Sequence, residues 1–255
     1  MTNKDILDIA LQQSAYDCNC RAEDFLSKQN VVTLSKPNPK ARNYVPLPLE
    51  CDIVSYGNNI VAQVSERTKF AVEEYINRID AYRCFETPQI NVLNDLLAPF
   101  DLKACFMAEY FLPDITKLKE LDCGYELRVL QRADFADLYK KQWSHCLTFD
   151  DKNRDVLCVG AYDNGELVGL AGCSADCEMM YQIGVDVLLD YRRKGIASAV
   201  TSKLALEIIK LGKVPFYCAA WSNIKSVRNA IKSGFRPAWV ELTARSTKLI
   251  SELIE

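Results

Sequence analysis

A basic turn in front of an apolar run carries the most informative chemistry in this sequence. Arg192, Arg193 and Lys194 are followed by Gly195, and an apolar run with helical spacing begins at Ile196. The first N–H groups of a helix have no partners within the helix, and the helix dipole places partial positive charge there. A glycine lets the backbone approach an anion without a Cβ in the way. This basic turn therefore predicts a pyrophosphate site at a helix start.

Two common phosphate-binding motifs do not fit the basic turn. A Walker loop requires Gly-Lys-Ser/Thr after a longer glycine-containing loop, whereas Gly195 is followed by Ile196 and Ala197. A dinucleotide fingerprint requires three glycines, and only one is present here. Taken alone, an RxxGxA turn is also compatible with an ordinary basic helix start. The assignment therefore depends on the elements around it.

These elements alternate regularly between strands and helices. Asp163-Asn164-Gly165-Glu166 lies between two apolar runs and is typical of a tight hairpin turn. Apolar runs predict strands at 125–129, 156–162, 167–172, 180–187, 214–221 and 238–243. Apolar periodicity and capping residues predict helices at 134–143, 196–211 and 224–232. The basic turn therefore joins a strand to a long helix, after which a strand and a short helix follow.

Three short motifs accompany these elements in a fixed order: RxxGxA at 192–197, Asn-x-x-Ser at 223–226 and Gly-Phe at 234–235. This order resembles the GNAT superfamily of N-acetyltransferases, over about the last half of the chain. The runs AGCSADCEMMYQIGVDV and VPFYCAAWSNIKSVRNAIKSGF, with FLPD and CGYELR, are also similar to the bacterial GNAT group that includes the zwittermicin-resistance acetyltransferase. The resemblance implies an α/β GNAT fold with a mixed sheet, and acetyl-CoA as co-substrate.

The resemblance also implies where acetyl-CoA binds. In the GNAT fold the fourth and fifth strands splay apart, and the free backbone groups at 183–187 are expected to pair with the amides of pantetheine. The pyrophosphate is then expected on the amides of 193–198. Asn223 is expected to contact the pantetheine arm, the alternative being a plain helix cap. The predicted cofactor-binding residues are Val185, Asp186, Val187, Arg192, Arg193, Lys194, Gly195, Ile196, Ala197, Ser198, Asn223 and Ser226.

The reaction implied by the resemblance is attack of a neutral amine on a thioester, so a proton must leave the amine first. Glu178 is the first choice for the base, and Asp176 and Gln182 are alternatives on or before the fourth strand. His145, the single histidine, is a further candidate because imidazole exchanges protons near neutral pH. A backbone N–H near Val185 is expected to stabilise the oxyanion.

The group that protonates the departing thiolate is less clearly marked. Many GNAT enzymes carry a tyrosine seven residues after the motif asparagine, and Ala230 stands at that position here. Tyr217, Ser222 and Ser226 are the alternatives for an acid near the cleft. Departure of an unprotonated thiolate is a further alternative, since alkyl thiols have a pKa of only ~8.5.

Composition limits the partners of the chain. The 255 residues include 31 basic and 34 acidic ones, so the net charge of −3 does not favour nucleic acid. The charged N-terminal residues are unlike a signal peptide, and apolar runs stay shorter than the ~20 residues of a membrane span. The 11 cysteines lack the paired spacing of a zinc site and predict reduced thiols without a metal. We expect a cytoplasmic protein that binds neither nucleic acid nor a membrane.

The sequence predicts two domains, at 1–120 and 121–255. The first reads as α+β, with a helix at 4–15, a hairpin around Gly57-Asn58-Asn59, helices at 65–82 and 90–97, and a strand at 103–112. Its order is loosely similar to half a GNAT domain, so a degenerate duplicate is one interpretation. We expect it to shape the acceptor site.

The predicted function is transfer of acetyl from acetyl-CoA to a primary amine of a small molecule, such as an antibiotic or a metabolite. Acetylation of a protein amine is an alternative within the same class. A coenzyme A-binding regulatory module without catalysis is the alternative from another class, and Ala230 at the usual tyrosine position is its only support in the sequence.

Overall fold

The computed structural model describes residues 1–254, which form two compact units. Unit 1 comprises Met1–Ala10 and Phe111–Pro237, and unit 2 comprises Leu11–Tyr110 and the residues from Ala238 onwards. The sequence predicts instead a single boundary between residues 120 and 121. Unit 2 is discontinuous because β10 (Phe235–Ser246), the last strand, pairs with β2 (Cys51–Ser55), and such long-range pairing leaves no local pattern in the sequence.

Unit 2 combines a sheet with packed helices. Its strands are β1 (Val31–Leu34), β2, β3 (Val61–Val64) and the adjoining parts of β4 (Leu102–Pro113) and β10, in the order β1-β3-β2-β10-β4. Strand β2 is antiparallel to β3 and to β10, whereas β1 is parallel to β3. The helices α2 (Lys69–Asn77) and α3 (Thr87–Leu97) contribute Val72, Tyr75, Ile76, Leu93 and Leu97 to its apolar core. Two further helices are α1 (Asn3–Asp17), which spans the unit boundary, and α6 (Thr247–Ile254).

Unit 1 is built on a mixed sheet. Its further strands are β5 (Glu126–Gln131), β6 (Asp155–Asp163), β7 (Glu166–Ser174), β8 (Met180–Val187) and β9 (Val214–Ala219). The order is β10-β4-β9-β8-β7-β6-β5, so β4 lies between β9 and β10 although it precedes both in sequence. The pairs from β5 to β8 are antiparallel, and β8 is parallel to β9. The predicted α/β class with a mixed sheet is confirmed.

The helix α4 (Ile196–Lys210) packs across this sheet, and α5 (Ile224–Lys232) lies beside it. The buried face of α4 carries Ile196, Val200, Leu204, Ala205 and Ile208, which share one apolar core with side chains of β6, β7 and β8. These positions recur at the spacing of an amphipathic helix. The core fixes the start of α4 against the sheet, and Gly169 of β7 permits the approach: a Cβ there would lie 2.5 Å from Ile196 Cγ2.

The helix predicted at 134–143 is wrong. The structure has two short 3-10 helices instead, at Ala136–Leu138 and Lys141–Trp143. The carboxylate of Asp134 accepts a hydrogen bond from the upstream amide of Gln131, at 2.8 Å, so it does not cap a helix that follows. Tyr139 is held by the side chain of Asp155, at 2.9 Å, and Trp143 is buried. These tertiary contacts override the local preference for a helix.

Candidate functional site

The parallel strands β8 and β9 separate part of the way along their length. Over the described chain their pairing comprises Met180↔Val214, Tyr181↔Pro215 and Gln182↔Phe216, and it ends there. Residues 183–187 of β8 remain paired with β7 on their other edge. Residues 183–187 and 217–219 therefore border an opening, called here the β8–β9 gap. Free N–H and C=O groups on such a strand edge can pair with an extended ligand that contains amides.

The two faces of β8 differ in character along this gap. Ile183, Val185 and Val187 join the apolar core under α4. Side chains alternate across a strand, so Gln182, Gly184 and Asp186 face the opposite side. The amide of Gln182 lies 3.2 Å from the sulfur of Cys218 on that side. The polar face of β8 therefore carries the side chains that could take part in chemistry, while the apolar face holds the strand to its helix.

The basic turn meets the end of β8 as the sequence predicts. Gly195 has φ 86° and Arg193 has φ 65°, both in the left-handed region, which turns the chain sharply into α4. The guanidinium of Arg192 donates to the carbonyl of Val187 at 3.0 Å, and Lys194 Nζ lies 4.7 Å from the centre of the Tyr191 ring. All three basic side chains are exposed. The turn is thus braced against β8 and presents positive charge to solvent.

The start of α4 offers unused hydrogen-bond donors. The first helical hydrogen bond runs from the amide of Ala199 to the carbonyl of Gly195, at 3.1 Å. Within residues 1–254 no side chain caps this start, and the hydroxyl of Ser198 donates to the carbonyl of Gly195 at 3.0 Å. The amide N–H groups of 196–198 therefore point out of the helix end, where the helix dipole also favours an anion.

Asn223, Ser226 and Tyr217 form a linked group at the start of α5. The side-chain oxygen of Asn223 accepts from the amide of Ser226 at 3.2 Å, so Asn223 does cap the helix. The hydroxyl of Ser226 lies 2.8 Å from that of Tyr217, which is the first residue of β9 beyond the paired segment. Burial raises the pKa of Tyr217, and hydrogen bonds to Ser226 and Asn229 partly offset this rise. The phenol therefore keeps its proton near neutral pH.

Ala230 is fully buried in the core of unit 1, with 0% exposure. It shares this core with Tyr217 and Phe235. A larger side chain at 230 would have to displace packed neighbours. The position where many GNAT enzymes have a tyrosine is thus filled by apolar packing.

Glu178, the first choice for the general base, does not lie at the β8–β9 gap in the structure. Glu178 is exposed in the turn before β8, at the end where β8 and β9 are paired. Four residues, Met179 to Gln182, lie between it and Ile183, where the β8 side of the gap begins. Asp176 is 1% exposed and accepts from Arg154 at 3.1 Å and from Ser174 at 2.9 Å, which gives it a structural role.

A histidine–carboxylate pair lies on the polar face of β8. Asp186 accepts two hydrogen bonds from His145, one from the backbone N–H at 2.8 Å and one at Nδ1 at 2.9 Å. The Asp186 side chain is 11% exposed and that of His145 is 82% exposed. The sequence predicts Asp186 as part of the cofactor-binding edge and does not link it to His145. In the sequence, Gln182, Gly184 and Asp186 alternate with the aliphatic residues of β8. This alternation is the signal that places the Asp186 carboxylate on the face opposite the apolar core.

Other ligand chemistries receive no support from the described residues. Among residues 1–254, no group of three or more His, Cys, Asp or Glu side chains could hold a metal ion. All cysteines there are free thiols. Burial raises the pKa of the Cys158 and Cys173 thiols, so these two are poor nucleophiles. None of the helices in this part of the chain has the length and apolar character needed to cross a bilayer.

The sequence profile of the GNAT acetyltransferase family matches residues 101–238, which is more than half of the chain. The chain therefore belongs to the GNAT acetyltransferase family, and the predicted GNAT fold is confirmed. The matched part includes the β8–β9 gap and the basic turn. No curated protein sequence matches at a significant level.

Solved structures of other GNAT proteins are similar to part of the chain. A GNAT-family protein from Novosphingobium aromaticivorans shares 19% identity over 56% of this chain and 66% of its own, with a TM-score of 0.44. A GCN5-related N-acetyltransferase from Kribbella flavida shares 15% identity over 62% of this chain and 65% of its own, with a TM-score of 0.47. The chain spans just under two thirds of the length of each.

Proposed function

We propose that this chain transfers an acetyl group from acetyl-CoA to a primary amine of a small molecule in the cytoplasm. The observation that carries the proposal is the position of the β8–β9 gap directly before the basic turn. An open strand edge and an uncapped helix start follow each other within one short stretch of chain. Pantetheine, with its two amides, suits the strand edge, and the adjoining pyrophosphate suits the helix start.

The basic turn and the amides of 196–198 would hold the pyrophosphate. Arg192, Arg193 and Lys194 supply full charges in addition to the partial charge of the helix dipole. Val185, Asp186 and Val187 would pair with pantetheine through their backbone groups. Because Asn223 already accepts from Ser226, its amide NH₂ is the part that can donate to pantetheine.

The departing thiolate requires a proton, and Tyr217 with Ser226 is the best placed source. The two hydroxyls are hydrogen-bonded beside the gap, and the raised pKa of Tyr217 keeps the phenol protonated until it donates. A backbone N–H of β8 near Val185 would stabilise the oxyanion of the tetrahedral intermediate. This arrangement replaces the tyrosine that Ala230 excludes.

A small amine is the proposed acceptor, in line with the resemblance to the zwittermicin-resistance group. The net charge of −3 does not single out a polycationic acceptor. The second candidate function is coenzyme A binding without catalysis. The observation that favours it is Ala230, because its packed environment excludes the usual acid.

Thiol release from acetyl-CoA distinguishes these functions. The assay uses a panel of small amines that differ in charge, together with a lysine-containing peptide. We expect release that depends on the added amine and is faster with at least one small amine than with the peptide. Acetyl-CoA that binds while no amine supports turnover would favour the non-catalytic module, and faster turnover of the peptide would favour a protein substrate.

A further inference from the structure

The pairing of His145 with Asp186 fixes one histidine tautomer. An ionised carboxylate only accepts hydrogen bonds, so the Nδ1 that lies 2.9 Å from Asp186 must carry a proton. In the neutral ring the lone pair is then on Nε2, which belongs to a side chain that is 82% exposed. The second bond, from the backbone N–H of His145 to the same carboxylate, fixes the ring relative to β8.

Two glycines make room for the chain at His145. Gly172 of β7 and Gly184 of β8 are directly opposite each other in the sheet. A Cβ at Gly184 would lie 2.0 Å from the carbonyl oxygen of His145, and one at Gly172 would lie 2.2 Å from that of Cys146. No side chain larger than hydrogen fits at either position without moving this backbone. The sheet thus contains a specific groove for residues 145–146.

The residues around His145 are anchored, so its position does not depend on the Asp186 contact alone. Trp143, Cys146 and Leu147 are at most 5% exposed and share a small apolar core with Leu130, Phe135, Cys158 and Leu170. Thr148 donates to the carboxylate of Asp155 from its amide and its hydroxyl, both at 2.8 Å. Within residues 143–148, called here the His145 segment, the one ionisable side chain that is exposed is His145.

The thiol of Cys146, next to His145 in the chain, does not compete with His145 as a proton acceptor. Cys146 is 5% exposed, and burial together with the charge of Asp186 raises the pKa of its thiol. It therefore remains protonated and is a poor nucleophile. His145 is the group beside Asp186 that can exchange a proton with a bound molecule.

We infer that His145 takes the proton from the acceptor amine and that Asp186 positions it, an inference that rests on the acetyltransferase function proposed above. The pair lies on the polar face of β8, on the segment that borders the β8–β9 gap. Glu178 lies instead in the turn before β8, at the end where β8 and β9 are paired. In this assignment His145 is the catalytic residue, because its Nε2 would contact the amine, and Asp186 is a positioning residue.

The step conserves atoms and charge. Nε2 of His145 accepts one proton from the amine nitrogen, whose electron pair forms the new N–C bond to the acetyl carbon. The C–S bond of the thioester then breaks, and its electron pair leaves with sulfur. The thiolate takes a proton from water or from Tyr217, which regains one from solvent, and the imidazolium returns its proton to solvent. The net result is an amide and coenzyme A, with no other reactant.

The test compares turnover with acetyl-CoA binding in the full chain. We expect His145→Gln to lower kcat with the best small amine by about 10²–10⁴-fold, the usual contribution of a general base, while the Kd for acetyl-CoA stays within about threefold. Asp186→Asn should lower kcat by at least about tenfold without changing that Kd. Gln142→Ala, an exposed neighbour on the same stretch, is the matched control and should keep wild-type kcat.

A separate readout excludes a purely structural effect. In His145→Gly, added imidazole should restore part of the lost kcat, because the free base can occupy an exposed position. Loss of activity in both His145 variants without restoration by imidazole would overturn the inference. So would wild-type kcat in His145→Gln, or a large loss in Glu178→Gln alone. Absence of turnover by the wild type with every amine would instead overturn the proposed function.

Discussion

The two units accommodate buried carboxylates in different ways. In unit 1, Asp155 and Asp176 are each 1% exposed and each accepts hydrogen bonds from at least two neighbouring side chains. In unit 2, Asp17, Asp52 and Glu241 belong to one electrostatic cluster with Arg42. Burial raises the pKa of both Asp52 and Glu241, and the charge of Asp52 raises that of Glu241 further.

This comparison shows that buried carboxylates have different roles in the two units. In unit 1 the donors satisfy each carboxylate, so it can fix a loop: Asp155 holds Thr148 and Asp186 holds His145. In unit 2, burial raises the pKa of Asp52 and Glu241, and the charge of Asp52 raises that of Glu241 further, so Glu241 stays protonated to a higher pH than an ordinary carboxyl group. We therefore expect unit 1 carboxylates to act on geometry and catalysis, and unit 2 carboxylates to act on stability and its pH dependence.

The largest effect on stability is expected from Arg42, which is 3% exposed and paired with Asp17 through both its guanidinium and its backbone N–H. Arg42→Met leaves the buried carboxylate of Asp17 without its paired cation, and we expect it to lower the free energy of unfolding by about 3–5 kcal/mol. Arg67→Met removes an exposed pair with Glu50 and should cost less than about 1 kcal/mol. Urea unfolding measures the free energy of unfolding of both variants. Similar losses in the two variants would contradict the distinction between a buried and an exposed ion pair.

Glu241 is expected to change how stability depends on pH, and the sign of that change follows from its raised pKa. Between its ordinary pKa of 4.5 and the higher folded value, folded Glu241 holds a proton that the unfolded chain has released. Its stabilising contribution is therefore full below pH ~4.5 and is lost as the pH rises through the folded pKa. Glu241→Gln should remove this decline, which is at most about 1.4 kcal/mol per pH unit. Unfolding free energies from pH 4.5 to 8 test this, and an unchanged slope would count against the buried cluster.

Local sequence signals were sufficient to predict the elements that carry the proposed cofactor site. The predicted strand at 180–187 and helix at 224–232 coincide with β8 and α5, and the basic turn lies between β8 and α4. Apolar periodicity, a capping asparagine and glycines at helix ends are all read within a few residues. The wrong helix at 134–143 shows the limit, because Tyr139 and Trp143 are fixed by partners elsewhere in the chain.

The residues proposed to act on the acceptor amine could not be predicted from the sequence in the same way. His145 and Asp186 are 41 residues apart, and the groove that brings them together depends on Gly172 and Gly184 being opposite each other. That register is a property of the folded sheet and leaves no local pattern in the sequence. The sequence alone therefore favoured Glu178 as the base, because Glu178 lies just before β8 in the chain. The division into units has the same origin, since it depends on the pairing of β10 with β2.

The most direct test of the account is calorimetric titration of acetyl-CoA into the wild type and two glycine variants. Gly195→Glu places a carboxylate at the start of α4. Gly165→Glu is the matched control, because it adds the same side chain at another glycine of positive φ, 90°, in the hairpin between β6 and β7. We predict that the wild type and Gly165→Glu bind acetyl-CoA alike and that folded Gly195→Glu binds at least about a hundredfold more weakly, or ~2.7 kcal/mol. Equal affinity in folded Gly195→Glu and Gly165→Glu would show that the start of α4 does not bind the pyrophosphate.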